Sequence, residues 1–551
     1  MLAVLLVSAL AVVGYTRVVG DDGTNGNGNG NGSPGSPGAW LAASCQTPPD
    51  EFRAVVRGTV QGRTADLQFL PRLPHSFGDF RKTTHSGPWD FLQRVPLVLY
   101  GPGYIAPRGD LELARETTVA DIAPTVAELL GLEFPDDRPG RAITEALVPR
   151  VNRAEPPRLI VLVVWDGAGY NVLEQWPDAW PRLARLMRRG TSVRGVEVGS
   201  SPSVTPAIHA TMGTGAFPRQ HGVVDIPVRT GEKVLDAFPD KAPRFLELPT
   251  VADLYDPTTN NASLVGLMAE RAWHLGMMGS GAYIEGGDKD YAVMTQGGDG
   301  RFIANTDYYK LPRYLDRVPG YELDRELVDR ADGVDDGLWM GHEMPAEKEA
   351  GGADPVWSHY QLRVLKALWE REGFGRDAIP DLFFTNFKEI DLVGHAYNMI
   401  EPEMESTLRH NDRVLGDLVE HLDTTVGRNR WVLALTADHG SGPDPRSIDS
   451  WPISMPQLQV DLALEYGVRV GPLFQAQRPT GMWFKPDVVR DAGIDLEDAA
   501  DFLIGYTLGD NVPDGKRAPR GYRDRVDERL FAAAFPTNRI EDVASCIRAR
   551  S

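Results

Sequence analysis

The sequence predicts an α/β protein in which a central, mostly parallel sheet is flanked by helices on both faces. Three apolar runs, at 159–165, 381–385 and 431–436, carry this prediction. Apolarity that is nearly continuous over so few residues is typical of strands buried on both faces. Helical patterns at 178–189 and 402–423 lie between these runs, as expected when helices connect parallel strands.

The first residues predict export from the cytoplasm. Residues 2–14 form an apolar run that is short for a membrane span and typical of the hydrophobic region of an export signal. An uncleaved anchor reaching about Val19 and a buried core segment are the alternatives. Residues 21–38 are low-complexity Gly, Asn, Ser and Pro, which cannot pack a core. We therefore interpret 1–20 as a signal peptide or membrane anchor and 21–50 as a flexible linker, in an extracytoplasmic protein that is secreted or membrane-anchored.

The remainder, 51–551, is interpreted as a single catalytic domain. Apolar runs bounded by turn residues predict strands, and helical spacing that ends at Gly or at a loop predicts helices. The predicted strands are 52–60, 65–70, 95–101 and 193–198, and the further predicted helices are 120–131, 359–369 and 496–508. Residues 226–350 are rich in Gly, Asp and aromatic residues with weak periodicity, so we interpret them as an inserted lobe that faces the substrate.

The composition excludes some classes of function. Over 551 residues the formal net charge is −20, which argues against a broad nucleic-acid-binding surface, because such a surface needs basic residues to displace counterions. A small anionic substrate remains compatible with this charge, since bound metals can supply local positive charge. The two cysteines, Cys45 and Cys546, form no Cys-x-x-Cys motif, so thiolate zinc and redox motifs are absent.

Carboxylate and imidazole side chains follow the three predicted core strands. Asp166 follows the first, Asp391 and His395 follow the second, and Asp438 and His439 follow the third. The carboxyl ends of parallel strands are the usual place for a ligand site in an α/β sheet. Since aspartate and histidine are ligands of catalytic divalent metals, the sequence predicts a metal site at this edge.

A hydroxyl side chain lies at the start of a predicted helix. Thr205 is followed by Pro206, a pair typical of a helix N-terminus. The helix dipole and the free amides at such an end favour an anionic group.

Four short motifs surround these residues between about 158 and 440. They are Val164-Trp-Asp-Gly167, Thr205-Pro-Ala-Ile-His209 with Pro218-Arg-Gln-His-Gly222, Asp391-Leu-Val-Gly-His395, and Thr436-Ala-Asp-His-Gly440. In this order they resemble the alkaline phosphatase superfamily, and most closely its type I phosphodiesterase/nucleotide pyrophosphatase branch. The resemblance implies an alkaline-phosphatase-like fold and a hydrolase with two divalent metal ions.

The same resemblance implies a role for each site residue. One metal would be held by Asp391, His395 and a further histidine, and the other by Asp166, Asp438, His439 and the Thr205 oxygen. Zinc is the first expectation for both metals, with manganese or iron as alternatives. Thr205 at the helix N-terminus would attack phosphorus, and water would hydrolyse the resulting phosphothreonine. Ser203, two residues earlier in the same loop, is the competing nucleophile. His209 and His221 match a family motif outside its ligand set, so we expect them to be structural.

The family's remaining histidine normally follows the Asp-His-Gly motif, but no histidine follows His439. The segment Thr84-His-Ser-Gly-Pro-Trp-Asp90 resembles the surroundings of that histidine, and 118–131 resembles a helix close to the family's carboxyl terminus. We infer a circular permutation in which 51–150 corresponds to the last part of unpermuted relatives. His85 would then be the missing ligand.

Permutation implies a further contact, because it would bring the two ends of the domain together. Cys45 and Cys546 lie at these ends, and an exported protein can join them in a disulfide. Free or intermolecular thiols are the alternative.

The resemblance predicts hydrolysis of phosphodiester or pyrophosphate bonds in a small-molecule substrate. No binding of nucleic-acid polymers is expected, and residues 1–19 could attach the protein to a membrane. A phosphomonoesterase, a cell-envelope phosphoryl transferase and a surface binding protein on the same scaffold are the alternatives. One departure bears on substrate class: Asp225-Ile226-Pro227 stands where the family usually has an asparagine that contacts a phosphoryl oxygen.

Overall fold

The computed structural model describes residues 38–80, 84–153, 155–295, 298–513 and 515–550. A nine-stranded sheet forms the centre of the fold and confirms the predicted α/β class. In spatial order its strands are Tyr309–Lys310, Asp290–Met294, Val265–Ala269, Asp381–Phe387, Leu159–Trp165, Trp431–Thr436, Leu97–Tyr100, Thr191–Val193 and Gly109–Leu111. Only Leu97–Tyr100 runs antiparallel to both of its neighbours. The three strands predicted from apolar runs therefore lie side by side at the middle of a mostly parallel sheet.

Helices flank this sheet. All seven residues of the central strand Leu159–Trp165 are buried, which requires cover on both faces. The principal helices are Ile122–Leu130, Pro181–Arg189, Thr205–Thr214, Tyr321–Asp329, Val356–Glu372, Glu389–Tyr397 and Pro402–Leu422. Shorter helices are Asp90–Gln93, Tyr170–Gln175, Pro218–His221, Val251–Tyr255 and Leu275–Met278. The helices predicted at 120–131, 178–189, 359–369 and 402–423 are all present within this set.

A second sheet has its own hydrophobic core. Its four antiparallel strands are, in spatial order, Phe474–Arg478, Gly481–Phe484, Leu67–Pro71 and Phe531–Pro536. The helices in this part of the fold are Ala39–Ser44, Pro49–Gly58, Met455–Glu465, Val470–Leu473, Pro486–Ala492, Leu496–Gly505 and Ile540–Arg550. A strand from the beginning of the chain thus pairs with strands from its end.

The two ends are also joined covalently, as predicted. Cys45 and Cys546 form a disulfide with a Cα–Cα distance of 5.7 Å. Beside it, the Ser44 hydroxyl donates a hydrogen bond to the carbonyl oxygen of Ala534 at 2.7 Å and accepts one from the Ala534 amide at 3.1 Å. These contacts hold the first described helix against the strand Phe531–Pro536.

Three predictions about the early and middle parts of the chain need correction. Residues 52–60 were predicted to be a strand, but Pro49–Gly58 is a helix that buries Phe52 and Val55 one turn apart. The linker prediction for 21–50 is wrong from residue 39 onward, since Trp40 lies in a helix and is only 1% exposed. The region 226–350 was predicted to be an inserted lobe, but it supplies three adjacent strands at one edge of the main sheet, so much of it belongs to that sheet.

The smaller hairpin Pro227–Thr230 with Lys233–Asp236 also lies in this region. The predicted signal peptide or anchor at 1–20 lies outside the described residues. Among the residues that are described, no helix combines the length and the apolar character needed to cross a membrane.

Candidate active site

The predicted site residues converge at the carboxyl edge of the main sheet. Asp166 comes directly after the central strand Leu159–Trp165, and Asp438 follows the neighbouring strand Trp431–Thr436 by two residues. Asp391 lies in the first turn of the helix that follows Asp381–Phe387, and His395 lies one turn later. Parallel strands end together, so residues far apart in sequence become neighbours.

The first cluster of candidate metal ligands centres on Asp391. The Nε2 atom of His395 is 3.2 Å from Asp391 Oδ1, and the Nε2 atom of His85 is 3.6 Å from the same oxygen. His85 comes from the loop before the main sheet begins, yet its ring stacks on that of His439 with centroids 3.4 Å apart. The structure therefore brings the histidine from residues 51–150 to the other site residues.

The second cluster centres on His439. Its Nε2 atom is 3.5 Å from Asp166 Oδ1 and 3.5 Å from Asp438 Oδ2. All three side chains are fully buried. His439 Nε2 and Asp438 Oδ2 have no hydrogen-bond partner among the protein atoms. Buried polar atoms are rarely left in this state, so both atoms have the capacity to bind a further group.

The tautomers of the two stacked histidines favour a cation. Nδ1 of His85 lies 2.9 Å from the carbonyl oxygen of Ser203, and Nδ1 of His439 lies 2.9 Å from that of Gly440. A carbonyl can only accept, so each Nδ1 carries a hydrogen, and each ring in its neutral form presents the Nε2 lone pair to the carboxylates. Ligand atoms around a tetrahedral zinc with bonds of about 2.0–2.1 Å lie roughly 3.3 Å apart. The donor spacing of 3.2–3.6 Å fits such an ion.

Lys388, which no sequence motif predicted, lies between the two clusters. Its Nζ donates to Asp166 Oδ1 at 2.7 Å and to Thr205 Oγ1 at 3.1 Å, and it lies 2.9 Å from Asp391 Oδ2. Burial opposes the charge of the ammonium, but the carboxylates of Asp166, Asp391 and Asp438 outweigh burial and raise the pKa of Lys388 above its ordinary value. The sequence does contain one sign of this role, because Lys388 is a charged residue that directly follows a buried strand and precedes Asp391 by three residues.

Thr205 and Ser203 differ in their surroundings. Thr205 is the first residue of the helix Thr205–Thr214, which confirms the predicted helix start, and its oxygen faces the Lys388 ammonium. The Ser203 hydroxyl instead donates to the carbonyl oxygen of Gly87 at 3.4 Å. The geometry favours Thr205 over Ser203, because its oxygen contacts the ammonium that pairs with Asp166 and lies at the positive end of its helix.

The other two histidines of the predicted motif have different surroundings from each other. His221 Nε2 is 3.1 Å from Thr211 Oγ1, and His221 Nδ1 accepts from the amide of Val223. His209 is closer to the site, with Nε2 3.8 Å from Asp438 Oδ2 and Nδ1 2.8 Å from Nδ1 of a second buried histidine, His274. His221 thus lies within a protein hydrogen-bond network. His209 and His274, by contrast, lie beside Asp166, with nitrogen and oxygen atoms of the three side chains within 4.8 Å of one another.

Residues 225–227, where this sequence departs from the family, include no side-chain amide that could donate a hydrogen bond. Asp225 is buried and accepts from the amide of Ile226, with the guanidinium of Arg478 at 4.0 Å. Burial raises the pKa of Asp225 to about 6, and Arg478 partly offsets this. Among the described residues, Lys388 is the cationic donor within reach of Thr205, so it is the candidate replacement for the missing asparagine.

Comparison with known proteins identifies the family and several relatives of this chain. The sequence model of the type I phosphodiesterase / nucleotide pyrophosphatase family matches residues 160–455. Alkaline phosphatase PafA of Elizabethkingia meningoseptica is 23% identical over 411 residues, covering 64% of this chain and 74% of PafA. Alkaline phosphatase PhoV of Synechococcus elongatus is 24% identical over 335 residues, covering 52% of this chain and 59% of PhoV. The crystal structure of wild-type PafA superposes with a TM-score of 0.52 at 19% identity, covering 69% of this chain and 84% of that one, which supports the fold.

Proposed function

The chain belongs to the type I phosphodiesterase/nucleotide pyrophosphatase family, a branch of the alkaline phosphatase superfamily, and from this premise we propose that it is a two-metal phosphoester hydrolase with Thr205 as nucleophile. One observation carries the proposal. The Thr205 oxygen lies at the N-terminus of a ten-residue helix, 3.1 Å from a buried ammonium that also contacts Asp166 and Asp391.

The proposed ligand sets follow the two clusters. Asp391, His395 and His85 would hold one ion, and Asp166, Asp438 and His439 would hold the other together with the Thr205 oxygen. Zinc suits this mixture of imidazole and carboxylate. Two such ions would supply positive charge that stabilises the transferring phosphoryl group and its entering and leaving oxygens.

The protein's own residues have separate roles in the proposed reaction. Thr205 gives up its hydroxyl proton to solvent, its oxygen forms a bond to phosphorus as the bond from phosphorus to the leaving oxygen breaks, and the departing alcohol takes up a proton from solvent. Lys388 donates a hydrogen bond to the Thr205 oxygen and favours its anionic form. The free amides of the first helical turn stabilise the phosphoryl oxygens. Water next attacks phosphothreonine, which restores the threonine hydroxyl and releases the phosphoryl product.

Two substrate classes are consistent with this site. Membership of the phosphodiesterase family favours diesters, and similarity to PafA and PhoV, which are alkaline phosphatases, favours monoesters. We propose the diester as the main substrate. The test is the rate of the zinc-loaded protein on bis(p-nitrophenyl) phosphate compared with p-nitrophenyl phosphate. Faster diester cleavage supports the proposal, and faster monoester cleavage makes the protein a phosphatase.

Variants at the two candidate nucleophiles test the role of Thr205. Thr205→Ala should lower kcat by roughly 10³-fold or more, as expected when a covalent nucleophile is removed. Ser203→Ala is the matched control, since it removes a hydroxyl from the same loop. Loss of activity in Ser203→Ala with activity retained in Thr205→Ala would transfer the role to Ser203.

The permutation and the extracytoplasmic location remain proposals with structural support. His85 joins the site from a segment that precedes the family match at 160–455, and the two chain ends share a sheet and a disulfide. A structural disulfide favours an oxidising compartment. We therefore propose that the protein acts outside the cytoplasm.

A further inference from the structure

An apolar cavity adjoins the candidate active site at His85. Its volume is about 190 Å³, and its wall includes the side chains of Phe77, Trp89, Phe91 and Leu92 as well as His85. Phe77, Trp89 and Leu92 are buried, and the rings of Trp89 and Phe91 stack with centroids 6.0 Å apart. The same histidine thus borders both the carboxylate clusters and an apolar space.

Two exposed side chains lie at the opening of this cavity. Leu73 is 48% exposed and Ile448 is 36% exposed, and both line the cavity although they are 375 residues apart in sequence. Large apolar side chains that remain exposed at a concave site mark a place where a ligand can bury them. Leu73 lies in the turn just beyond the small-sheet strand Leu67–Pro71, and Ile448 lies in a turn of the loop after His439. Two turns that are distant in sequence therefore contribute one side each.

We propose that this cavity binds the hydrocarbon group of the substrate, so that the enzyme acts on phosphoesters of hydrophobic alcohols. This inference rests on the proposed function, because it requires phosphorus to lie beside Thr205. A substituent on that phosphorus can then extend past His85 into the cavity. Among the described residues, the hydroxyls of the lining are those of Ser76, Thr84 and Ser86, so this part of the wall favours an alkyl chain or an unsubstituted ring over a polar nucleoside.

The volume limits the size of the group. An apolar cavity of about 150 Å³ binds benzene, so a cavity of 190 Å³ holds roughly six carbon atoms. Affinity should therefore rise with chain length up to about six carbons and then level off. Each added methylene within that range is expected to tighten binding by about two- to fourfold.

The test is calorimetric binding of unbranched alkylphosphonates, from methyl to decyl, to the zinc-loaded full chain. Phosphonates carry the anionic group without a cleavable ester bond, so binding is read without turnover. We expect hexylphosphonate to bind at least 30-fold more tightly than methylphosphonate. The double variant Leu73→Ser with Ile448→Ser should lose at least tenfold more affinity for hexylphosphonate than for methylphosphonate. Leu464→Ser, which changes a leucine that is 66% exposed and away from the cavity, is the control.

The outcomes separate this inference from the proposed function. Methylphosphonate binding without any dependence on chain length would overturn the cavity proposal and leave the phosphoryl site standing. No binding of methylphosphonate, together with no ester hydrolysis, would overturn the proposed function and the cavity proposal with it. Equal losses of affinity for both phosphonates in the double variant would show that Leu73 and Ile448 do not contact the alkyl chain of the ligand.

Discussion

Replacing Lys388 with methionine is predicted to destabilise the metal-free protein by about 3–5 kcal/mol. The Lys388 side chain is 8% exposed, and its Nζ lies 2.7 Å from Asp166 and 2.9 Å from Asp391. Removing one partner of a buried ion pair leaves uncompensated charge, which costs about this much free energy of unfolding. Methionine keeps the length of the side chain, so loss of the charge dominates the effect.

The assay is urea unfolding of the chelator-treated protein and of the zinc-saturated protein. Zinc supplies positive charge to the same carboxylates, so the destabilisation should be smaller when zinc is bound. We also expect kcat to fall by about 10²–10³-fold, the effect of losing one donor to a developing negative charge. Lys310→Met is the control, because Lys310 is 42% exposed, pairs with Asp288 at 3.3 Å and should contribute less than about 1 kcal/mol.

A Lys388→Met protein that unfolds at the wild-type urea concentration without metal would refute this reasoning. Equal destabilisation with and without zinc would refute its second part, since the ammonium and the ions would then not act on the same carboxylates.

Three further predictions follow from the same contacts. His85→Ala should keep the fold but lower the zinc content measured by mass spectrometry from two ions per chain to one, whereas His342→Ala, at a histidine paired with Glu403, should retain both; unchanged zinc in His85→Ala would remove His85 from the ligand set. Replacing Cys45 and Cys546 with serine should lower the free energy of unfolding by about 2–4 kcal/mol, and an unchanged urea midpoint would count against the bridge as a stabilising contact. Burial raises the pKa of Asp225 to about 6, so the folded state keeps a proton that the unfolded state releases near pH 4. This group should therefore lower the free energy of unfolding as pH rises from about 4 to 6, and Asp225→Asn should change the slope over that range by the share of one carboxyl group; the same slope in both proteins would contradict it.

The sequence predicted the centre of the fold because its signals there are local. Residues 159–165 and 431–436 are apolar throughout, and burial on both faces of a sheet demands that pattern. Asp166, Asp391 and Asp438 each follow a core strand within a few residues, so the order of the strands in the sheet fixes the order of these three side chains in the site. The helix that begins at Thr205 was predictable from threonine followed by proline.

Other parts depend on contacts between distant residues. Leu67–Pro71 pairs with Phe531–Pro536, more than 400 residues away, and no local sequence pattern predicts that pairing. The helix Pro49–Gly58 contains valines and a phenylalanine that suit a strand equally well, and packing decides between the two. Lys388 looks like a surface lysine in the sequence, and only the meeting of three carboxylates makes its burial favourable.

The central claim is that Thr205 attacks phosphorus, and the stereochemistry of the reaction tests it most directly. The experiment follows hydrolysis of a diester that carries sulfur on phosphorus, with an oxygen isotope label that keeps phosphorus chiral in the product. The configuration of the product reports the number of in-line displacements. Attack by Thr205 followed by attack of water gives two displacements, so we predict retention of configuration. Inversion would mean a single direct attack by water and would contradict the phosphothreonine mechanism.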